Sequence, residues 1–276
     1  MFRSDDVNIC LSFINDPTRN RWYNEILKAH VKDKIIFEVG YGVGLLAAYC
    51  LEHGAKHYYG IDIRDARRDI TSNVLNYLGY QDRYTLLTGN FLDLSKNDVP
   101  KHIDILLTEQ VGSQFINFFT MKRFWNHAIT LFDSYITIPD MWSIDAIVYD
   151  GIINDSDPTL LLDDKTLPTN FYSALNNIDT NTPAEYIKNV VCITPKTSAT
   201  PIEFILDLTK YKSATIVLVD NIQFRKSKCR STSALIDWPN PAKIIVNNAQ
   251  SLVKFYWNTD LKYKKYTNGY WEHQKI

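Results

Sequence analysis

The sequence predicts two parts of different fold class: an α/β domain with a parallel sheet covered on both faces, then an antiparallel β-barrel or sandwich. Three observations predict it. Up to Pro139, apolar runs of strand length alternate with helical patterns. The first of those runs, Ile35-Ile36-Phe37-Glu38-Val39, ends in the alternating glycines Gly40, Gly42 and Gly44. From residue 186 onward only short apolar runs remain, rich in Val, Ile, Tyr and Trp.

The elements follow in order. Residues 35–39 read as a buried strand, 44–52 as a helix, and 57–61 as a second strand. Residues 65–78 form a helical stretch closed by Gly79, a C-cap. Tyr84 to Thr88 and Ile103 to Thr108 are strands, 114–131 is a helix, and Ser134 to Ile138 is the last strand of the series. Residues 142–149 are a strand; 150–170, rich in Asp, Asn, Thr and Pro, are loop; a short helix follows at 170–176. Beyond lie the runs at 202–206, 214–219, 243–246 and 252–257. The boundary falls at Pro139, giving domains 1–139 and 140–276.

Composition narrows the class. Of 276 residues, 45 % are hydrophobic, enough for a sizeable core. Lys and Arg number 30 against 31 Asp and Glu, so no net charge draws the chain to nucleic acid or an anionic membrane. Cys10, Cys50, Cys192 and Cys229 stand far apart, which predicts neither a disulfide framework nor a metal site. The N-terminus lacks the apolar core of a signal peptide, and no apolar run approaches the ~18 residues that span a bilayer. A soluble, cytoplasmic protein is expected.

The glycines and the next strand form a ligand motif. Tyr59-Gly60-Ile61-Asp62 closes with an acid 18 residues after Gly44. A strand, tight loop, helix and second strand with a carboxylate at its tip suit a nucleoside cofactor. A dinucleotide fingerprint wants a further glycine where Leu45 stands, which favours S-adenosyl-L-methionine, a donor without pyrophosphate. Asp62 would hold its ribose. Gly89-Asn90-Phe91 follows the third strand, where Asn90 could meet the adenine edge and Phe91 its face; for Phe91, core packing is the stronger reading.

These residues resemble the class I S-adenosylmethionine-dependent methyltransferases, with their Rossmann-like sheet, and more narrowly the protein arginine methyltransferases. Residues 16–23, Asp16-Pro17-Thr18-Arg19-Asn20-Arg21-Trp22-Tyr23, resemble the family's cofactor-clasping helix, whose arginine binds the cofactor carboxylate. Arg19 and Tyr23 share a helix face. Residues 103–112 resemble the segment bearing the first substrate glutamate, here Glu109. Ile138-Pro139-Asp140 resembles the junction to the family's β-barrel, and Asp237-Trp238 sits where the family has a His-Trp pair.

The resemblance implies a methyl transfer to a nitrogen acceptor, foremost an arginine side chain of a protein or peptide. Arg19, Tyr23, Glu38, Gly40, Gly42, Gly44, Asp62, Asn90 and Phe91 would bind the cofactor. Glu109 would be the catalytic carboxylate that orients the acceptor nitrogen, and Trp238 would line the acceptor mouth. A homodimer is implied as well, although the stretch before 186 is too short for a full family arm. The family's second glutamate falls at position 118, which is Phe118, and its histidine is replaced by Asp237. Asp16 and Asp237 would repel if charged and close. Those departures leave two other readings open: a non-catalytic methyltransferase-like interaction module, or an enzyme acting on another protein nitrogen or a small molecule. The run Arg225-Lys226-Ser227-Lys228-Cys229-Arg230 reads as a solvated loop.

Overall fold

The computed structural model describes residues 13–109, 116–151, 184–196, 203–229, 242–247, 249–258 and 270–276. Most of the expected loop at 150–170 and the whole of the helix at 170–176 lie outside them, as do Asp237 and Trp238. The chain divides into two compact units, one drawn from residues 1–111, 118–141 and 222–233, the other from 112–117, 142–221 and 234–276.

The first unit is built on five parallel strands: β1 (Ile35–Val39), β2 (His57–Asp62), β3 (Tyr84–Thr88), β4 (Ile105–Thr108) and β5 (Ile136–Ile138). Their order is β3-β2-β1-β4-β5. The chain leaves the middle of the sheet in one direction and returns to extend it in the other. That reversal lies between β1 and β4, and ligands of open α/β sheets bind outside the carboxyl ends of the strands there. The strands read as continuous apolar runs because both faces are covered; every β4 residue is buried. Helices α1 (Pro17–His30), α2 (Leu45–Glu52), α3 (Asp65–Tyr77) and α4 (Ile116–Leu131) supply the cover.

Local chemistry sets the boundaries. Asp16 caps α1, its carboxylate accepting the Arg19 N–H at 2.9 Å, and Pro17 takes the first helical position, where no N–H is needed. α3 ends as the sequence predicts. Gly79 turns left-handed (φ 83°), with Gly79 N–H to Asn76 C=O at 3.0 Å and Tyr80 N–H to Leu75 C=O at 3.0 Å. β4 starts two residues later than its apolar run, because the Asp104 side chain takes the Ile35 N–H at 2.8 Å. Asp104 therefore serves the amino edge of the sheet, away from the strand tips that carry the candidate site.

Register aligns the carboxyl ends. Val39 pairs with Ile61 and with Thr108, and Asp62 pairs with Thr88. The residues that follow, Gly40, Gly89 and Glu109, therefore leave one edge of the sheet together. Residues 222–229, the end of β9 (Ala214–Phe224) and β10 (Ser227–Cys229), form an antiparallel hairpin that belongs to this unit. Its turn is Arg225-Lys226, both exposed, with Asp140 accepting the Arg225 N–H at 3.1 Å. The hairpin grips α1: Trp22 Nε1 donates to Ser227 Oγ at 2.8 Å, and His30 meets Phe224 edge-on at 5.0 Å.

The second unit is antiparallel. β6 (Met141–Asp150) pairs with β7 (Ala184–Ile193), with a register irregularity between Ile144 and Ala146. β9 pairs with β11 (Ala242–Val246). β12 (Leu252–Asn258) lies between β8 (Glu203–Asp207) and β13 (Tyr270–Lys275). Phe204 and Phe255 sit opposite one another and stack at 5.0 Å. No described helix is long and apolar enough to cross a membrane.

The Trp22 bond generates a prediction. Trp22→Phe and Ser227→Ala should each lower the urea unfolding free energy by ~1 kcal/mol, and the double variant should lose little more than either single one. Additive losses would show that the bond does not couple helix to hairpin.

Candidate functional site

The glycine loop is fixed by the elements on either side of it. Gly40 N–H donates to Ile61 C=O at 2.7 Å, carrying the β1–β2 ladder past the strand end. The backbone then turns at Gly40, Gly42 and Gly44 with φ of 84°, 57° and 84°, a region that strains L side chains. Two of the glycines have distinct roles. A Cβ on Gly44 would stand 2.7 Å from Thr71 Cγ2, so this glycine lets α2 start against α3. A Cβ on Gly42 would meet nothing within 4 Å, so this glycine faces open space. Gly42 is held by its backbone: its C=O accepts from Thr71 Oγ1 at 3.1 Å.

Its N–H donates to Asp62. The Gly42 N–H lies 3.0 Å from Asp62 Oδ2, and the Arg64 N–H lies 2.9 Å from Oδ1. Arg67, from the first turns of α3, places Nη1 at 3.2 Å from Oδ2 and 3.5 Å from Oδ1. The Asp62 side chain is 2 % exposed. Loop and acid, 20 residues apart, thus form one hydrogen-bonded unit. The sequence reading missed Arg67. The available signal was an arginine on the helix that follows the acid-tipped strand.

A second charged pair lies on the N-terminal helix. Arg19 Nη2 is 3.1 Å from Glu109 Oε2, with side chains only 4 % and 6 % exposed. Arg19 Nη1 donates to Asn20 Oδ1 at 2.7 Å, and the guanidinium lies 5.1 Å from the Phe13 ring centre and 5.2 Å from that of Tyr23. Burial works against its charge, but Glu109 chiefly, then Tyr23 and Glu38, outweigh that and raise its pKa. Glu109 Oε1 is buried and has no hydrogen-bond partner among the described residues. Tyr23 is fully buried, its hydroxyl 3.5 Å from the Thr108 carbonyl.

Glu38 lies under the loop and is 1 % exposed. Tyr58 and Gly60 share a face of β2, and Gly60 pairs with Glu38 across the ladder. The missing Cβ matters: at Gly60 it would lie 2.9 Å from the Tyr58 hydroxyl, which instead donates to Glu38 Oε2 at 2.5 Å. Burial pushes the Glu38 pKa from 4.5 up to about 8, against the pull of Tyr58 and Arg19. Among the predicted residues the structure thus gathers Arg19, Tyr23, Glu38, the three glycines, Asp62 and Glu109 at the tips of β1, β2 and β4.

The remaining predicted residues fare differently. Asn90 follows β3 and is half-buried, its Oδ1 accepting the Leu92 N–H at 3.1 Å. Phe91 lies as its stronger sequence reading, core packing, expects. It is 2 % exposed, with Phe37, Phe124 and His127 at 5.8, 5.5 and 5.3 Å, so its ring belongs to the core and offers no open face. Trp238 and Asp237 lie outside the described residues, and Phe118 lies in α4 with its side chain outside them. The Asp16 carboxylate is committed to capping α1.

No family model matches the chain. It is 32 % identical over 111 residues to protein arginine N-methyltransferase 1 of Saccharomyces cerevisiae, covering 39 % of this chain and 31 % of that protein. It is 29 % identical over 136 residues to protein arginine N-methyltransferase 1 of Oryza sativa subsp. indica, covering 48 % and 34 %. The chain thus spans about a third of the length of these relatives. Among solved structures, a crystal structure of PRMT6 matches with TM-score 0.65 at 13 % identity, over 98 % of this chain and 99 % of that one. A Trypanosoma brucei PRMT1 enzyme-prozyme heterotetrameric complex with AdoHcy matches with TM-score 0.59 at 14 % identity, over 97 % and 98 %. This chain resembles the protein arginine methyltransferases. Its two-part α/β and antiparallel architecture is theirs.

The Glu38 environment predicts a pH signature. An acid whose pKa is raised on folding contributes stability below about 4.5 that is lost as pH rises through about 8. Thermal unfolding of wild type should therefore fall relative to Glu38→Gln over that window, and the two should run parallel above it. Parallel curves throughout would mean that Glu38 titrates normally.

Proposed function

We propose that this chain is an S-adenosylmethionine-dependent N-methyltransferase whose acceptor is an arginine side chain of a protein or peptide. The observation that carries the reading is the joining of the glycine loop to Asp62 at the carboxyl edge of a parallel sheet. The sequence relatives bearing the arginine methyltransferase name support it, as does the AdoHcy in a structural neighbour.

The residues present fit the cofactor. Gly42 leaves open space where a side chain would otherwise project, Asp62 supplies a carboxylate for ribose hydroxyls, and Glu109 keeps a buried oxygen with no described partner. Glu38 would receive the donor's amino group, and Arg19 would hold its carboxylate with Tyr23 packed beneath. Asn90 stands at the end of β3 for the adenine edge; Phe91 is left out because its ring is enclosed. When bound, S-adenosylmethionine supplies an electrophilic methyl group on a sulfonium.

Glu109 would do the remaining work. Its Oε2 is fixed by Arg19, so the carboxylate cannot rotate freely. Its Oε1 remains to accept from an acceptor N–H and to localise the lone pair on the attacking nitrogen. Holding nucleophile and methyl carbon in line accounts for much of such catalysis. We assign the cofactor to domain 1–139, the acceptor surface with Trp238 to domain 140–276, a homodimer as the assembly, and the cytoplasm as the compartment.

Titration calorimetry with S-adenosylhomocysteine tests the site. Wild type should bind, and Asp62→Ala should weaken binding by ~1–3 kcal/mol. An unchanged affinity would remove the ribose assignment. Glu109→Gln should abolish labelled methyl transfer to arginine-rich peptides yet retain cofactor binding. Phe118 and Asp237 favour one other reading, a non-catalytic methyltransferase-like interaction module. It is the correct one if wild type binds cofactor but labels no peptide, protein mixture or small amine.

A further inference from the structure

Asp62 is already occupied in a way the proposed cofactor contact does not include. A carboxylate has about four lone-pair positions. Gly42 N–H takes one on Oδ2, Arg64 N–H takes one on Oδ1, and the Arg67 Nη1 group spans both oxygens at 3.2 and 3.5 Å. The two backbone donors belong to the loop and to the start of α3, so they cannot leave without moving the fold. Arg67 reaches the carboxylate by its side chain, 17 % exposed with its Nε buried, and a side chain can change rotamer without moving the backbone. It is the donor that can be exchanged.

We propose that Arg67 is an internal counterion that covers the ribose carboxylate in the ligand-free protein and is displaced by the ribose diol when the cofactor binds, making it a determinant of cofactor affinity. The inference rests on the reading that a nucleoside cofactor binds at Asp62. Without ligand, Arg67 is the cation that the described residues bring against this carboxylate, which is 2 % exposed. The pairing offsets the cost of burying that charge. In exchange it competes with the ligand, because two ribose hydroxyls need the positions its Nη1 covers. The backbone donors hold the carboxylate in place throughout, so the acid stays oriented while its side-chain partner changes.

The test is a double-mutant cycle read by calorimetry with S-adenosylhomocysteine, which cannot turn over. Arg67→Gln should bind roughly fivefold more tightly than wild type, the size expected from removing a competing, partly screened ion pair. Asp62→Asn should bind more weakly than wild type, and adding Arg67→Gln to Asp62→Asn should give no further gain. A residue that only supported the fold would shift affinity equally in both backgrounds. Arg67→Met, which keeps the aliphatic stem, should reproduce the gain and serves if the glutamine variant unfolds. An unchanged or weaker affinity for both Arg67 variants overturns the proposal, since the arginine would then stay at Asp62 in the complex. Absence of binding up to millimolar ligand in wild type and both variants sinks the cofactor reading, and the exchange with it. Binding by the variants alone would make Arg67 a full block on the site.

Discussion

The hydrogen bond from Gly42 N–H to the Asp62 carboxylate organises the first unit. It ties the loop after β1 to the tip of β2, and Arg64 and Arg67 extend the tie into α3. The Thr71 hydroxyl closes the circuit by donating back to the Gly42 carbonyl. A glycine loop without these bonds would be a flexible turn whose ordering would have to be met by ligand binding. With them, the loop is shaped before any ligand arrives. The left-handed φ values of its glycines, which other residues would adopt only under strain, fit the shape this network holds.

The site's charges come as pairs within the protein: Asp62 with Arg67, and Glu109 with Arg19. Each acid is nearly buried, and burying an unpaired charge is expensive. Pairing them internally stabilises the unliganded chain but places a cation beside each group a ligand would address. Glu38 takes another route. Burial pushes its carboxyl toward the neutral form, and the hydrogen bond from Tyr58 opposes this only in part. The three acids at the strand tips therefore answer the same problem by two different means.

The N-terminal helix shows how distant sequence is recruited to hold a site. α1 carries Arg19 and Tyr23 inward, while Trp22 and His30 are held by the 222–229 hairpin of the same unit. Nothing in the sequence pattern signals this return, because Ser227 sits in a basic run that reads as solvated turn. Two of those residues are indeed an exposed turn, and the serine just after them accepts from Trp22 of α1.

Much of the first unit was legible from residues alone, because the signals were local. Strand runs bounded by glycines and an acid at a strand end follow from backbone chemistry, and the Gly79 cap was read correctly for the same reason. The long β7 and the edge strand β13 were not delimited, since Ala184–Ile193 contains a break in register and Tyr270–Lys275 is mostly polar. Strand pairing there is decided by neighbours. The sequence by itself determined the loop, the acid and the helix face of Arg19 and Tyr23, which depend on spacing within one or two elements. Only the tertiary structure decided that Arg67 covers Asp62 and that Glu109 turns one oxygen to Arg19. Those outcomes depend on which groups meet in space and on the need to neutralise buried charge, and no spacing along the chain encodes either.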